Sequence, residues 1–218
     1  MNVRAALPGH YALMDLLRAV AVKDTATVLR LLAVSPALAA ARLEEGATRQ
    51  TANAYYLDEI EHYLYAGDTA LHVAAAAYQV QIARGLIAAG ADVRAKNRRG
   101  AEPLHYAADG MPGSPTFNPR AQAATIACLI AAGADPKAID KSGVTPLHRA
   151  VRTRCAAAVG ALLDGGADGR GKNKSGSTPM DLATQNTGRG GSGSPEAKAQ
   201  QREIVRLFGR YRSTARRP

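Results

Sequence analysis

Apolar positions near the start of the chain recur at helical spacing: Leu13, Leu16, Leu17 and Val20, then Val28, Leu31 and Leu32. Residues three and four apart share one helix face, so the pattern predicts two amphipathic helices. The pattern then changes. Two aromatic runs, AYYL and HYLY, flank the polar DEIE between residues 54 and 65 and predict an extended finger in the form of a β-hairpin. From residue 67 onward short apolar stretches of helical character alternate with glycine-marked breaks. Two segments rich in Gly, Pro and Ser, DGMPGSPTFNPR from Asp109 and NTGRGGSGSPEAKAQ from Asn186, read as loops between paired helices. Both loops should project from the end opposite the fingers.

The breaks are periodic. GDTALHVAA begins at Gly67, GAEPLHYAA at Gly100, GVTPLHRAV at Gly143 and GSTPMDLAT at Gly176, in steps of 33, 43 and 33 residues. The triplet GAD keeps the same beat at Gly90, Gly133 and Gly166. A period near 33 with internal self-similarity implies stacked supersecondary units. These residues closely resemble the ankyrin repeat, with its Thr-Pro-Leu-His turn, two antiparallel helices and Gly-Ala-Asp entry into a hairpin finger. The resemblance implies an all-α solenoid whose helix-turn-helix repeats are joined by hairpin fingers.

It also implies that His72, His105 and His148 are structural, bonding to backbone in the neighbouring turn. Three equivalent histidines at one architectural position suit support better than catalysis. Thr145 can accept from amides at the start of its helix, and Pro146 fits the first turn, where its missing N–H costs nothing. The glycines of the GAD triplets suit a left-handed helix cap. Departures from the pattern are Glu102 in place of threonine, Asp181 in place of the last histidine, and Tyr78 and Arg154 at turn positions where glycine is usual.

The expected organisation is a diverged capping repeat over 1–47, a tyrosine-rich finger over 48–66, repeats over 67–99, 100–142, 143–175 and 176–211, and a basic tail over 212–218. Alanine dominates the apolar content, aromatic residues make up only 5%, and tryptophan is absent, so packing must rely on small side chains. The formal charge of +10 raises the expectation of an acidic partner. Cys128 and Cys155 lack metal-ligand spacing and suggest reduced thiols in a cytoplasmic protein. No leader peptide and no membrane span is expected.

Little in the chain points to catalysis, and neither a cofactor nor a metal is expected. GRGGSG at residues 188–193 fits a dinucleotide fingerprint in letters only, since a helix rather than a strand precedes it. His105 and Asp109 could meet at i, i+4, but no nucleophile accompanies them. The expected function is noncatalytic recognition of a partner protein, with binding of nucleic acid or another polyanion as the alternative. Three sets of residues are candidates. On the concave helix faces they are Tyr106, Asp109, Arg149, Arg152 and Gln185, at positions that vary between copies and include hot-spot residue types. On the fingers, Arg94, Lys96, Arg98, Lys137, Lys141, Arg170, Lys172 and Lys174 would form a ladder of cations attractive to an acidic peptide or a phosphate backbone, or a merely solvated edge. In the extended finger, Tyr55, Tyr56, Tyr63 and Tyr65 would contact a partner or cover the first repeat.

Overall fold

The structure, a computed structural model, describes residues 8–114, 117–184 and 195–214. It is a stack of helical hairpins: α1 (Pro8–Ala21) with α2 (Thr25–Val34), α3 (Ala70–Ala76) with α4 (Val80–Ala88), α5 (Pro103–Ala108) with α6 (Pro119–Ala131), α7 (Pro146–Arg152) with α8 (Ala156–Asp164), and α9 (Pro179–Thr184) with α10 (Pro195–Thr214). Inner helices α1, α3, α5, α7 and α9 pack in series, and the outer helices α4, α6, α8 and α10 pack behind them. Each hairpin buries its faces only against its neighbours, as in other linear repeat arrays. Many of the fully buried contacts are alanines, among them Ala74, Ala75, Ala107, Ala108, Ala150 and Ala158, which let the helices approach closely.

The initial helical pair has the geometry of a repeat. Lys23, Tyr78 and Arg154 all hold left-handed backbone, at φ of 63°, 53° and 59°, two residues past the ends of α1, α3 and α7. The turn geometry is therefore the one glycine would adopt, reached here by larger side chains at a cost of about 1–2 kcal/mol each. At the other end of each hairpin Gly90, Gly133 and Gly166 adopt φ of 97°, 99° and 91° as left-handed caps.

The extended finger is anchored by backbone bonds. Leu43 N–H donates to Asp68 C=O, Gly67 N–H to Leu43 C=O, and Ala47 N–H to Leu64 C=O. Gly46 is required at this base, because a Cβ there would lie 2.4 Å from Ala66 N. At the tip β1 (Tyr56–Leu57) pairs antiparallel with β2 (His62–Tyr63). The loop after α5 carries part of the extra length of its repeat, and α6, at 13 residues against nine for α4 and α8, carries the rest. Of the second segment read as a loop, GRGGSG lies outside the described residues, while Pro195 to Gln200 form the first turns of α10 and not a loop. Helix α10 runs to Thr214, so the tail expected from residue 212 begins inside it.

Candidate binding surface

The three histidines bridge successive repeats. Each Nδ1 accepts a backbone N–H from the cap of its own helix: Thr69 to His72 at 3.2 Å, Glu102 to His105 at 3.1 Å and Thr145 to His148 at 3.2 Å. That places the proton on Nε2, which donates forward to Ala101, Val144 and Ser177 carbonyls at 3.2, 3.0 and 3.0 Å. Burial pushes all three pKa values down, that of His105 to about 4, so the rings are neutral at physiological pH. In the last copy Asp181 accepts from Thr178 N–H at 2.9 Å, which closes the cap but reaches no further repeat. Glu102 completes a capping box where the other repeats use threonine. Burial raises its pKa against the pull of the Lys96 ammonium, 3.7 Å away.

The fingers are joined rung to rung. Arg98 N–H donates to Ala66 C=O at 2.7 Å, Lys141 N–H to Arg99 C=O at 2.9 Å and Lys174 N–H to Ser142 C=O at 3.0 Å. Within each finger one side-chain oxygen accepts two amides: Asn97 from Arg99 and Ala101, Asp140 from Ser142 and Val144, Asn173 from Ser175 and Ser177. These carriers hold the cationic rungs at equivalent places. The rungs are not equivalent in chemistry. Arg94 pairs with Asp135 at 3.6 Å, Lys96 faces Glu102, and Arg98 donates to the Ala47 carbonyl while lying over the Tyr65 ring. Lys137, Lys141, Arg170, Lys172 and Lys174 are exposed, and none closes an ion pair among the described residues.

The concave face departs from expectation. Tyr106 is only 2% exposed and cannot serve as a surface contact. Its hydroxyl donates to the fully buried Asp68 carboxylate, 2.9 and 2.8 Å from the two oxygens, while Asn97 Nδ2 donates to the Asp68 Oδ1 and Tyr65 N–H to its Oδ2. Burial next to this carboxylate raises the Tyr106 pKa well above its usual value. The cause is the extended finger, whose tip folds back over α5: the His62 ring packs at a tilt on Tyr106, centroids 4.5 Å apart, and Tyr106 meets His72 edge-on at 5.0 Å. Arg149 is likewise engaged internally, 2.8 Å from Asp109 and 3.4 Å from Asp140, tying the inserted loop to the next finger. Tyr106, Asp109 and Arg149 thus belong to the scaffold. Arg152 stays half-buried on α7 and is not without a partner, and Gln185 lies outside the described residues.

The four tyrosines of the finger divide. Tyr65 is clamped by Arg98 and Arg99, Tyr56 packs on Tyr63 at 4.7 Å, Tyr55 is half-buried against the core, and Tyr63 is 41% exposed. The folded-back tip encloses a cleft of about 280 Å³ between residues 59–62, the turn 76–78, the α5 end at 106–110 and the loop through Phe117. Tyr78 forms part of its wall, donating its hydroxyl to the Asp109 carbonyl at 2.5 Å and receiving Gln122 Nε2–H at 3.3 Å.

Asp68, His62 and the cleft carboxylates Glu59 and Glu61 were not among the candidates. Asp68 had a readable signal: the equivalent positions hold Ala101, Val144 and Ser177, so a lone acid there needs a donor nearby. His62 had none, because its neighbour is set by how the finger bends. Among the described residues no cluster of metal-ligating side chains occurs, and no helix is long and apolar enough to cross a membrane.

Bridging histidines, fingers bonded edge to edge and stacked helical hairpins define a repeat-built scaffold. A family model described as the ankyrin repeat matches residues 66–98, and one described as ankyrin repeats in many copies matches 129–183. The chain carries ankyrin repeats and has an all-α ankyrin solenoid fold. Such repeats are generally protein–protein interaction modules and typically noncatalytic. The chain matches no curated protein sequence at a significant level.

Proposed function

We propose that the protein is a noncatalytic recognition module that binds a partner protein through an acidic segment laid along its finger edge. The observation that supports this most is the run of exposed cations Lys137, Lys141, Arg170, Lys172 and Lys174 on backbone-locked fingers, with no acid closing on them among the described residues. An array of solvated charges at fixed spacing gives orientation and association rate more than raw affinity, as a transient partner requires. The contact is centred on the later fingers, because Arg94, Lys96 and Arg98 are already engaged. Two free cysteines, one of them Cys155 with its thiol pushed up to about 11 by burial, suit a reducing compartment and a cytoplasmic setting.

Nucleic acid is the second reading, favoured by the same cations and the +10 charge. The later fingers interleave no aromatic side chain with these cations, as a base-stacking surface would. The test is affinity capture from nuclease-treated lysate with wild type and with Lys141→Glu/Lys174→Glu. Retention of a protein that the variant loses, weakening with added salt, is expected. Retention that disappears with nuclease would transfer the finger edge to nucleic acid.

A further inference from the structure

We infer that the cleft beneath the finger tip receives an arginine side chain of the partner protein. This rests on the protein-recognition reading above and adds a second contact of opposite sign. At about 280 Å³ the cleft is too small for an element of secondary structure and of the right order for one long side chain.

Its lining is chemically mixed. Tyr78 and Phe117 supply aromatic surface above the buried Tyr106, and Glu59, Glu61 and Asp109 supply carboxylates, against one lysine, Lys23. Glu59 and Glu61 are exposed and close no ion pair among the described residues, whereas the charge of Asp109 is matched by Arg149. In a chain of net charge +10 this is a local reversal of sign. The remaining titratable group, His62, has its pKa lowered by burial and adds no positive charge at physiological pH.

A guanidinium fits both features. It is flat and weakly hydrated, stacks on aromatic faces, and carries five donors suited to carboxylates. An ammonium could use the carboxylates but would gain less from the rings, and an anion would be repelled by the mouth. The cleft exists because two departures from the repeat pattern, the lengthened finger and the loop after α5, close on each other. The finger edge and the cleft together require a partner surface that presents acidic residues and at least one arginine.

The experiment is a two-dimensional amide NMR titration of the full chain with N-acetyl-arginine methylamide, alongside the norleucine and glutamate analogues. Saturable shifts at the His62, Tyr78 and Gly110 amides are expected with the arginine amide only. Glu59→Gln/Glu61→Gln should weaken them by about fivefold, the scale of an exposed ion pair, while Lys141→Glu/Lys174→Glu should leave them unchanged. No saturation at these amides, equal response to norleucine, or indifference to the glutamine variant overturns the assignment. Because partner capture is read with the finger variant, the cleft assignment can fall while protein recognition stands, and the reverse is equally visible.

Discussion

Replacing Tyr106 by phenylalanine removes one oxygen and leaves the ring where His62 and His72 pack on it. The lost hydroxyl is a donor to a carboxylate with no solvent exposure, and hydrogen bonds to charged groups contribute about 1.5–3 kcal/mol. Asp68 keeps Asn97 Nδ2–H and Tyr65 N–H, so a loss near 2 kcal/mol, toward the lower part of that range, is expected. For a chain of this length that corresponds to a fall in Tm of about 4–8 °C, and to a urea midpoint lower by about 0.7–1 M for a slope of 2–3 kcal/mol/M. The assay is urea and thermal unfolding followed by far-ultraviolet circular dichroism, with Asp68→Asn and the double variant completing a cycle. Non-additivity of about 1 kcal/mol or more should appear, since the two side chains touch. An unchanged midpoint accompanied by loss of partner capture would refute the reasoning and return Tyr106 to the binding surface.

Other consequences can be measured with the same methods. His105 has a folded pKa of about 4 against an ordinary value of 6.5, so the unfolded chain binds more protons between those values. Stability should be fully present above pH 6.5 and fall by up to about 3 kcal/mol as pH drops toward 4, with a flatter profile in His105→Asn; a parallel profile would reject the neutral bridge. Arg149→Ala leaves Asp109 and Asp140 facing each other without their cation and should cost about 3 kcal/mol in urea unfolding; a loss under 1 kcal/mol would show the pair to be solvated. Lys23→Gly removes an exposed left-handed non-glycine residue and should raise stability by about 1 kcal/mol, and a lowered melting temperature would contradict the turn geometry. Lys141→Glu/Lys174→Glu alters exposed rungs and should shift Tm by no more than a few degrees, so that its binding defect can be read cleanly.

The repeat was legible because its determinants are local. A histidine three residues after a cap, a glycine after the second helix and a fixed return to both leave little choice of backbone, and the forward bonds of His72, His105 and His148 follow from that register. The concave site was not legible by the same means. Counting along α5 and α7 finds the faces of Tyr106 and Arg149 correctly, but whether a face stays open depends on a finger that begins some fifty residues before Tyr106 and bends back over it. Such a bend is set by long-range packing, for which neither period nor propensity carries a signal. The loop after α5 shows the same limit: its composition marked a loop, but only the fold brings Asp109 to Arg149.

The rungs Arg98, Lys141 and Lys174 are separated by 43 and then 33 residues of chain, yet each makes the same backbone bond to the finger before it. Contour length and finger-to-finger register are therefore decoupled in this molecule. In the repeat that begins at Gly100 the extra residues are taken up in the loop after α5 and in α6, while each finger keeps the same backbone bond to the one before it. A partner laid along that edge meets the same bonded register whatever is inserted behind it, so new surface can be added within a hairpin without breaking the bonds that join the fingers.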